Sequence, residues 1–150
     1  MLLAFALAST LVAPSALGDC TCHRPEKGEK TRRGANLVII ETEEGARRRL
    51  EGTVFGIDDH PFENVLVEIF NHPEHVSENA GSMVERHKQK RLAVCRTAAD
   101  GKFCFRGLPS GKYELRASLN DGWNITHLYV TVDTEYGKSE PIRVRMYIGI

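Results

Sequence analysis

Hydrophobic and polar residues alternate through most of the second half of the chain. Between Thr97 and Leu115 the sequence reads TAADGKFCFRGLPSGKYEL, in which two short alternating runs are separated by turn-forming residues. Because successive side chains of a strand point to opposite faces of a sheet, this alternation predicts strands with one buried face. Asp100-Gly101 is expected to make a tight hairpin turn, and Leu108–Gly111 to reverse the chain again. The segment therefore predicts a ribbon of short antiparallel strands.

The same alternation predicts strands on both sides of this ribbon. In residues 64–70, Val65, Val67 and Ile69 are expected to face the core. A shift of the register by one residue would bury Glu68, which is costly. The other predicted strands are 37–40, 49–55, 92–96, 127–132 and 142–148, with 37–40 and 49–55 joined as a hairpin by a turn at Glu43–Gly45. About seven or eight short strands with regular turns predict an all-β fold, an antiparallel sandwich.

Three segments lie outside this pattern. Residues 1–18 carry no charge, are apolar at first and end in small residues, which predicts a secretory signal peptide. Residues 19–35 are polar and form a cysteine-containing N-terminal arm. The sandwich domain covers residues 36–150, with a polar insertion at 71–90 that is long for a loop in a compact domain.

The signal peptide places the mature protein outside the cytoplasm, as a secreted, periplasmic or cell-surface protein. The apolar opening is shorter than the ~20 residues that a spanning helix needs, so we expect no stable membrane span after processing. Leu17-Gly18-Asp19-Cys20 is similar to a lipoprotein box, in which the cysteine is lipidated after cleavage. Asp19 departs from the small residue of that box, and lipidation of Cys20 stays an open alternative.

Charge excludes one class of partner. The chain has 20 basic and 20 acidic side chains and a formal net charge of zero, which gives no long-range attraction to nucleic acid or to anionic lipid. We therefore expect no nucleic-acid partner. Basic runs at 47–49 and 86–91 are interpreted as solvated strand edges and a polar loop, because glutamates flank both.

Several segments together carry a resemblance to a known family. They are Gly52–Val54, Pro61–Ile69, Thr97–Phe103, Leu108, Gly111–Leu115 and the Gly122-Trp123 loop. Over residues 50–150 they resemble the carboxypeptidase regulatory-like domain. The resemblance implies a prealbumin-like, carbohydrate-binding-like sandwich and a non-catalytic accessory or adhesion-like role in exported proteins.

Two features that related sandwiches carry are missing from the sequence. Residues 49–55 contain no Lys and residues 142–150 no Asn or Asp, so we expect no isopeptide crosslink of the collagen-adhesin kind. The chain ends in MYIGI, whereas transthyretin-like hydrolases end in a Tyr-Arg-Gly-Ser motif. The resemblance therefore does not imply that hydrolase activity.

The four cysteines are Cys20, Cys22, Cys95 and Cys104, and an even number in an exported chain predicts disulfides. Bridges from the arm to the ribbon are favoured, because a local Cys95–Cys104 bond would leave the other two to close a strained short ring. In an alternative hypothesis Cys20, Cys22 and His23 form a metal-binding or thiol-redox cluster. Zinc would need a fourth ligand at a suitable spacing, which the sequence does not offer, so we expect no metal and no cofactor.

Histidines in the insertion do not form a recognisable metal or catalytic motif. His72, His75 and His87 are interpreted as exposed loop side chains, since Pro73 interrupts any helix that would align them. The sequence also contains no nucleophile elbow, phosphate loop or dinucleotide fingerprint. We therefore predict that the protein is not an enzyme.

One loop offers a candidate ligand surface. Trp123, the only tryptophan, is either a lid on the core or an exposed stacking surface. With Asn120, Asp121, Asn124 and the nearby Tyr129, it combines an aromatic face with amides that suit a sugar. The sequence thus predicts an exported, non-enzymatic binding or structural module whose partner is an extracellular glycan or a cell-envelope component.

Overall fold

The computed structural model describes residues 22–28, 37–72, 89–119 and 124–147, which form eight strands. In chain order these are β1 (Leu37–Arg47), β2 (Leu50–Phe55), β3 (Leu66–Phe70), β4 (Arg91–Arg96), β5 (Lys102–Phe105), β6 (Gly111–Ser118), β7 (Asn124–Val132) and β8 (Ile142–Arg145). The larger sheet has the order β1-β7-β6-β3-β4 and the smaller sheet the order β5-β2-β8. The prediction of an all-β sandwich is confirmed.

Hydrophobic side chains from both sheets meet in one core. The larger sheet contributes Val67, Ile69 and Leu115 and the smaller sheet contributes Val54 and Ile142, all of them fully buried. The predicted inward set of β3 is therefore correct. Truncation of such a leucine or isoleucine to alanine costs roughly 2–5 kcal/mol, so this core is what holds the two sheets together.

Two strand pairs are parallel, which corrects the prediction of a purely antiparallel sandwich. β1 runs parallel to β7, and β2 runs parallel to β8. The predicted hairpin between 37–40 and 49–55 is wrong, because β1 continues through Glu43–Gly45 as a bulge and ends only at Arg47. Gly45, with φ of 80°, accommodates the bulge instead of reversing the chain. The chain then crosses to the smaller sheet.

The predicted ribbon also crosses between the sheets instead of forming hairpins. β4 pairs with β3 and β5 pairs with β2, so the Asp100-Gly101 turn connects different sheets. Gly101 has φ of 71°, and its carbonyl accepts a hydrogen bond from the Val54 amide at 2.9 Å. A Cβ at position 101 would lie 2.6 Å from the Val54 carbonyl oxygen. Glycine is needed because this turn packs directly on the β2 backbone.

β3 is buried on both faces, and the expectation that Glu68 would avoid burial is wrong. Glu68 is 1% exposed, and one carboxylate oxygen lies 2.7 Å from Nη1 of Arg91. A paired guanidinium makes such burial tolerable, whereas an unpaired carboxylate would not be. The outer face of the larger sheet is therefore covered at β3, as is the inner one.

The structure describes only the two ends of the polar insertion, residues 71–72 and 89–90, and hydrogen bonds connect them. The Asn71 side chain accepts a hydrogen bond from the Lys90 amide at 2.8 Å, and the Gln89 amide donates to the His72 carbonyl at 2.8 Å. Residues 73–88, the predicted signal peptide and most of the predicted arm lie outside the described residues. Within the described ranges, no helix has the length and apolarity needed to cross a bilayer.

Candidate functional site

A cavity of about 890 Å³ lies along the ladder between β2 and β5. β5 is only four residues long, and β8, on the other side of β2, pairs with it only from Gly52 onward. The first residues of β2 therefore border open space. The volume lies within the range of about 300–1,000 Å³ that is usual for ligand pockets. We take this cavity as the candidate binding site.

The cavity combines an apolar wall with a charged rim. The apolar lining residues are Leu50, Phe103, Phe105, Leu108, Val132 and Pro141. The charged ones are Arg48, Arg49, Glu51, Asp100, Lys102 and Arg106. Four basic against two acidic side chains leave an excess of two positive charges at the rim.

The register of β2 and β5 orders the rim residues in cross-strand pairs on the outer face of the ladder. The pairs are Thr53 with Lys102 and Glu51 with Cys104, and Arg49 and Arg106 follow one step beyond the last paired residues, Leu50 and Phe105. Arg49 and Arg106 are both exposed. Two guanidinium groups therefore flank one end of the cavity.

The other rim charges are largely engaged. Lys102 Nζ lies 2.7 Å from a carboxylate oxygen of Asp100, and this hydrogen bond lowers the pKa of Asp100. Arg48 donates to the Glu135 carbonyl at 3.1 Å. Arg49 and Arg106, by contrast, have no hydrogen-bond or ion-pair partner among the residues that the structure describes. These two side chains are the free cations of the rim.

A second, smaller cleft of about 240 Å³ lies at the β8 edge of the same sheet. Arg145 and Arg143 approach one carboxylate oxygen of Asp59 at 2.9 and 3.4 Å, and the Arg143 guanidinium covers the Phe55 ring, 4.2 Å from its centroid. Glu41 is the one carboxylate in the lining itself. Both arginines of this cleft already have Asp59 as a partner, in contrast to Arg49 and Arg106.

A buried polar cluster occupies the outer face of the larger sheet. One oxygen of Glu114 lies 2.6 Å from Arg116 Nε and 2.7 Å from His127 Nδ1, and the other accepts from the Gln89 amide at 2.6 Å. The Arg116 guanidinium also stacks over the Phe70 ring, 4.0 Å from its centroid. Glu114 is fully buried.

The electrostatics of this cluster are those of a structural network. Burial raises the pKa of Glu114, but the hydrogen bonds from His127, Arg116 and Gln89 outweigh it and lower the pKa to about 2. The carboxylate is therefore ionised at neutral pH, and both of its oxygens are already engaged. It is not placed to exchange protons with a substrate.

The predicted ligand loop is only partly described. Asn120, Asp121 and Trp123 lie outside the described residues. The Asn124 side chain is buried and donates to the Tyr147 carbonyl, so it does not present its amide to solvent. Asn124 is also the first residue of an Asn-Ile-Thr sequon, the acceptor sequence for N-glycans. Tyr129 is half-buried on the outer face of β7.

The arm is attached to the larger sheet. Cys22 and Cys95 form a disulfide with Cα atoms 4.3 Å apart, and His23 exchanges backbone hydrogen bonds with Val94 at 2.9 and 2.8 Å. This bond has the arm-to-ribbon arrangement that the sequence analysis favoured. Because the Cys22 sulfur is bonded to Cys95, it is unavailable as a ligand in a cluster with His23.

Of the other two cysteines, the structure describes only Cys104. Cys104 is also disulfide-bonded, and the described residues include no free cysteine. Cys95 faces the core of the larger sheet whereas Cys104 lies on the outer face of the smaller one, so the local bond between them does not form. Cys20 lies outside the described residues, and its pairing with Cys104 stays a prediction.

The insertion histidines give no metal site in the described part. His72 is exposed, while His75 and His87 lie outside the described residues. Among the residues that the structure does describe, no three His, Cys, Asp or Glu side chains are grouped so as to hold a metal ion.

Neither the free arginines of the cavity rim nor the buried cluster is predicted from the sequence. Arg49 belongs to the basic run at 47–49, which the flanking glutamates indicate to be a solvated edge. That Arg49 and Arg106 line one cavity depends on the β2–β5 register. The sequence does carry a signal for the buried cluster. Glu114 and Arg116 alternate with apolar residues and so share one face of their strand, as Glu68 does on β3.

Comparison with known proteins adds no assignment. The sequence matches no family model and no curated protein.

Proposed function

We propose that this chain is an exported, non-enzymatic binding module that binds a saccharide in the cavity along the β2–β5 ladder. The observation that carries the proposal is the cavity, which has the volume of a ligand pocket and joins an apolar wall to polar groups at its rim. Sugars present apolar C–H faces beside hydroxyl groups. A lining of this mixed character offers contacts for both.

Export and a non-catalytic role have separate support. Disulfides persist in oxidising compartments, and the Cys22–Cys95 bond is compatible with an extracellular, periplasmic or cell-surface location. The uncharged N-terminal segment supports the same route. The resemblance to the carboxypeptidase regulatory-like domain supports a binding role without catalysis.

The cavity and the loop before β7 are two distinct positions for a ligand. Asn124 begins β7, whereas Val132, which lines the cavity, ends it. The eight intervening steps along a strand span about 26 Å. A ligand of modest size therefore occupies one position or the other.

Calorimetric titration against a panel of neutral and acidic oligosaccharides tests the proposal. We expect saturable binding to at least one member, and we expect Thr53→Trp to weaken it at least tenfold because the indole fills the cavity. Thr131→Trp is the matched control, since Thr131 is also a half-buried strand threonine but lies on the larger sheet. Thermal melting of both variants verifies that they fold.

Two results would refute this placement. A folded protein that binds no member of the panel would remove the saccharide-binding function. Quenching of the single Trp123 by a sugar, with unchanged affinity in Thr53→Trp, would move the site to the loop before β7.

The thiol-redox or metal-binding alternative makes a different prediction. It requires free thiols or bound metal on the mature protein. We expect thiol titration to find none, because Cys22, Cys95 and Cys104 are all oxidised.

A further inference from the structure

Two arginines line the cavity just outside the paired part of the β2–β5 ladder. Leu50 pairs with Phe105 at the end of the ladder, and Arg49 and Arg106 are the next residues along the two segments. Neither arginine has a partner within the described ranges, although the chain as a whole has as many acidic as basic side chains.

We infer that the ligand of this cavity is an acidic saccharide whose carboxylate groups are bound by Arg49 and Arg106. The inference rests on the proposed function and specifies its substrate class. A guanidinium offers a planar set of N–H donors that matches a carboxylate, and two of them that line one cavity can bind acidic groups of one ligand. The net positive rim of the cavity acts in the same direction.

The apolar wall favours a saccharide over a simple anion. Beyond the arginines, the cavity continues along Leu108, which is half-buried, and Pro141, which is exposed. An inorganic anion would contact only the guanidinium groups and leave these two side chains uncovered. A uronic acid presents a carboxylate and an apolar ring face on the same unit. The zero net charge of the chain argues against a general attraction to polyanions, so the recognition is local.

The test compares an oligogalacturonate with its fully methyl-esterified form, which has the same sugar backbone without the charges. We expect the acidic form to bind at least about tenfold more tightly, since each hydrogen bond to a charged group contributes about a tenfold factor. Arg49→Gln and Arg106→Gln should each weaken binding of the acid about tenfold and leave binding of the ester unchanged. Raising the salt concentration should weaken binding of the acid alone.

Matched controls remove the same charge elsewhere. Lys90 and Lys112 are exposed and lie outside the cavity lining, so Lys90→Gln and Lys112→Gln should change affinity by less than about twofold. Because all four substitutions are at exposed positions, we expect each variant to fold.

Each contrary result has a definite meaning. Equal affinity for acid and ester, with both abolished by Thr53→Trp, would overturn this inference and leave the proposed function intact. Absence of binding to the acid, the ester and every other saccharide would overturn the proposed function itself. Equally tight binding of oligoglutamate would show a surface for polyanions and would also overturn the inference.

Discussion

At the scale of residues, Glu114 shows how a buried charge is held in this protein. The guanidinium of Arg116, the ring of His127 and the amide of Gln89 all contact the carboxylate. Removing one partner of such a network leaves the others buried without compensation, which typically costs about 3–5 kcal/mol. Gln89 stands at the end of the polar insertion, so the same network attaches that insertion to the larger sheet.

Glu114→Gln tests this network through its dependence on pH. The pKa of Glu114 in the folded protein is about 2, against an ordinary value of 4.5, so its ionisation stabilises the fold fully above about pH 4.5. That contribution is lost as the pH falls toward 2. Near neutral pH it corresponds to about 3 kcal/mol.

Urea unfolding of the wild type and the variant at pH 7 and at pH 3 measures the effect. We expect the difference in free energy of unfolding to be largest at pH 7 and to shrink in acid. Glu44→Gln, at an exposed position on β1, should show almost no difference at either pH. A Glu114→Gln difference that is the same at both pH values would contradict the account.

The burial of single residues could be predicted where one face of a strand is apolar. The prediction failed where a buried charge has a partner of opposite charge. The alternation correctly placed Val65 and Val67 in the core. It placed Glu68 wrongly, because an isolated carboxylate is costly to bury and the sequence gives no sign that Arg91 lies beside it. Ion pairs between strands depend on a register that a local pattern does not contain.

At the scale of elements, the strands were predictable and their partners were not. Alternation defines which residues share a face, and it correctly indicated strands near all eight observed positions. It does not say which strand lies beside which. The short connections around Gly45 and Gly101 were therefore interpreted as hairpin turns, whereas both precede a crossing to the other sheet.

The arm is an element whose attachment rests on the Cys22–Cys95 bond, which links residues 73 positions apart. In the chain-entropy model, a bridge of this span contributes about 4 kcal/mol to stability. In a Cys20→Ser, Cys104→Ser background, which removes the second predicted bridge, we expect Cys22→Ser with Cys95→Ser to lose about this amount in guanidinium unfolding, with an unchanged far-ultraviolet spectrum. A loss below about 1 kcal/mol would show that the arm is held by other contacts.

At the scale of the whole molecule, the two sheets have different outer faces. The larger sheet carries the buried cluster around Glu114 on its outer face. The smaller sheet borders both cavities, and only in the larger one do arginines lack a partner among the described residues. This asymmetry places the proposed ligand on the side of β2 and β5.

The location of this site was not predictable from the sequence. Arg49 and Arg106 lie far apart along the chain and line one cavity only because β2 and β5 pair in one particular register. The sequence instead favours the loop around Trp123, where an aromatic residue and amides are close neighbours. Local composition can reveal a site built from one loop, but not one built from two strands.

The central claim is that a saccharide binds in the cavity along the β2–β5 ladder. Backbone amide chemical shifts, followed by NMR during titration with oligogalacturonate, test it most directly. The account predicts saturable shifts concentrated in residues 48–53 and 102–108, which line the cavity, and small changes at the start of β7. Shifts concentrated around Asn124, or none in any residue at saturating ligand, would contradict it.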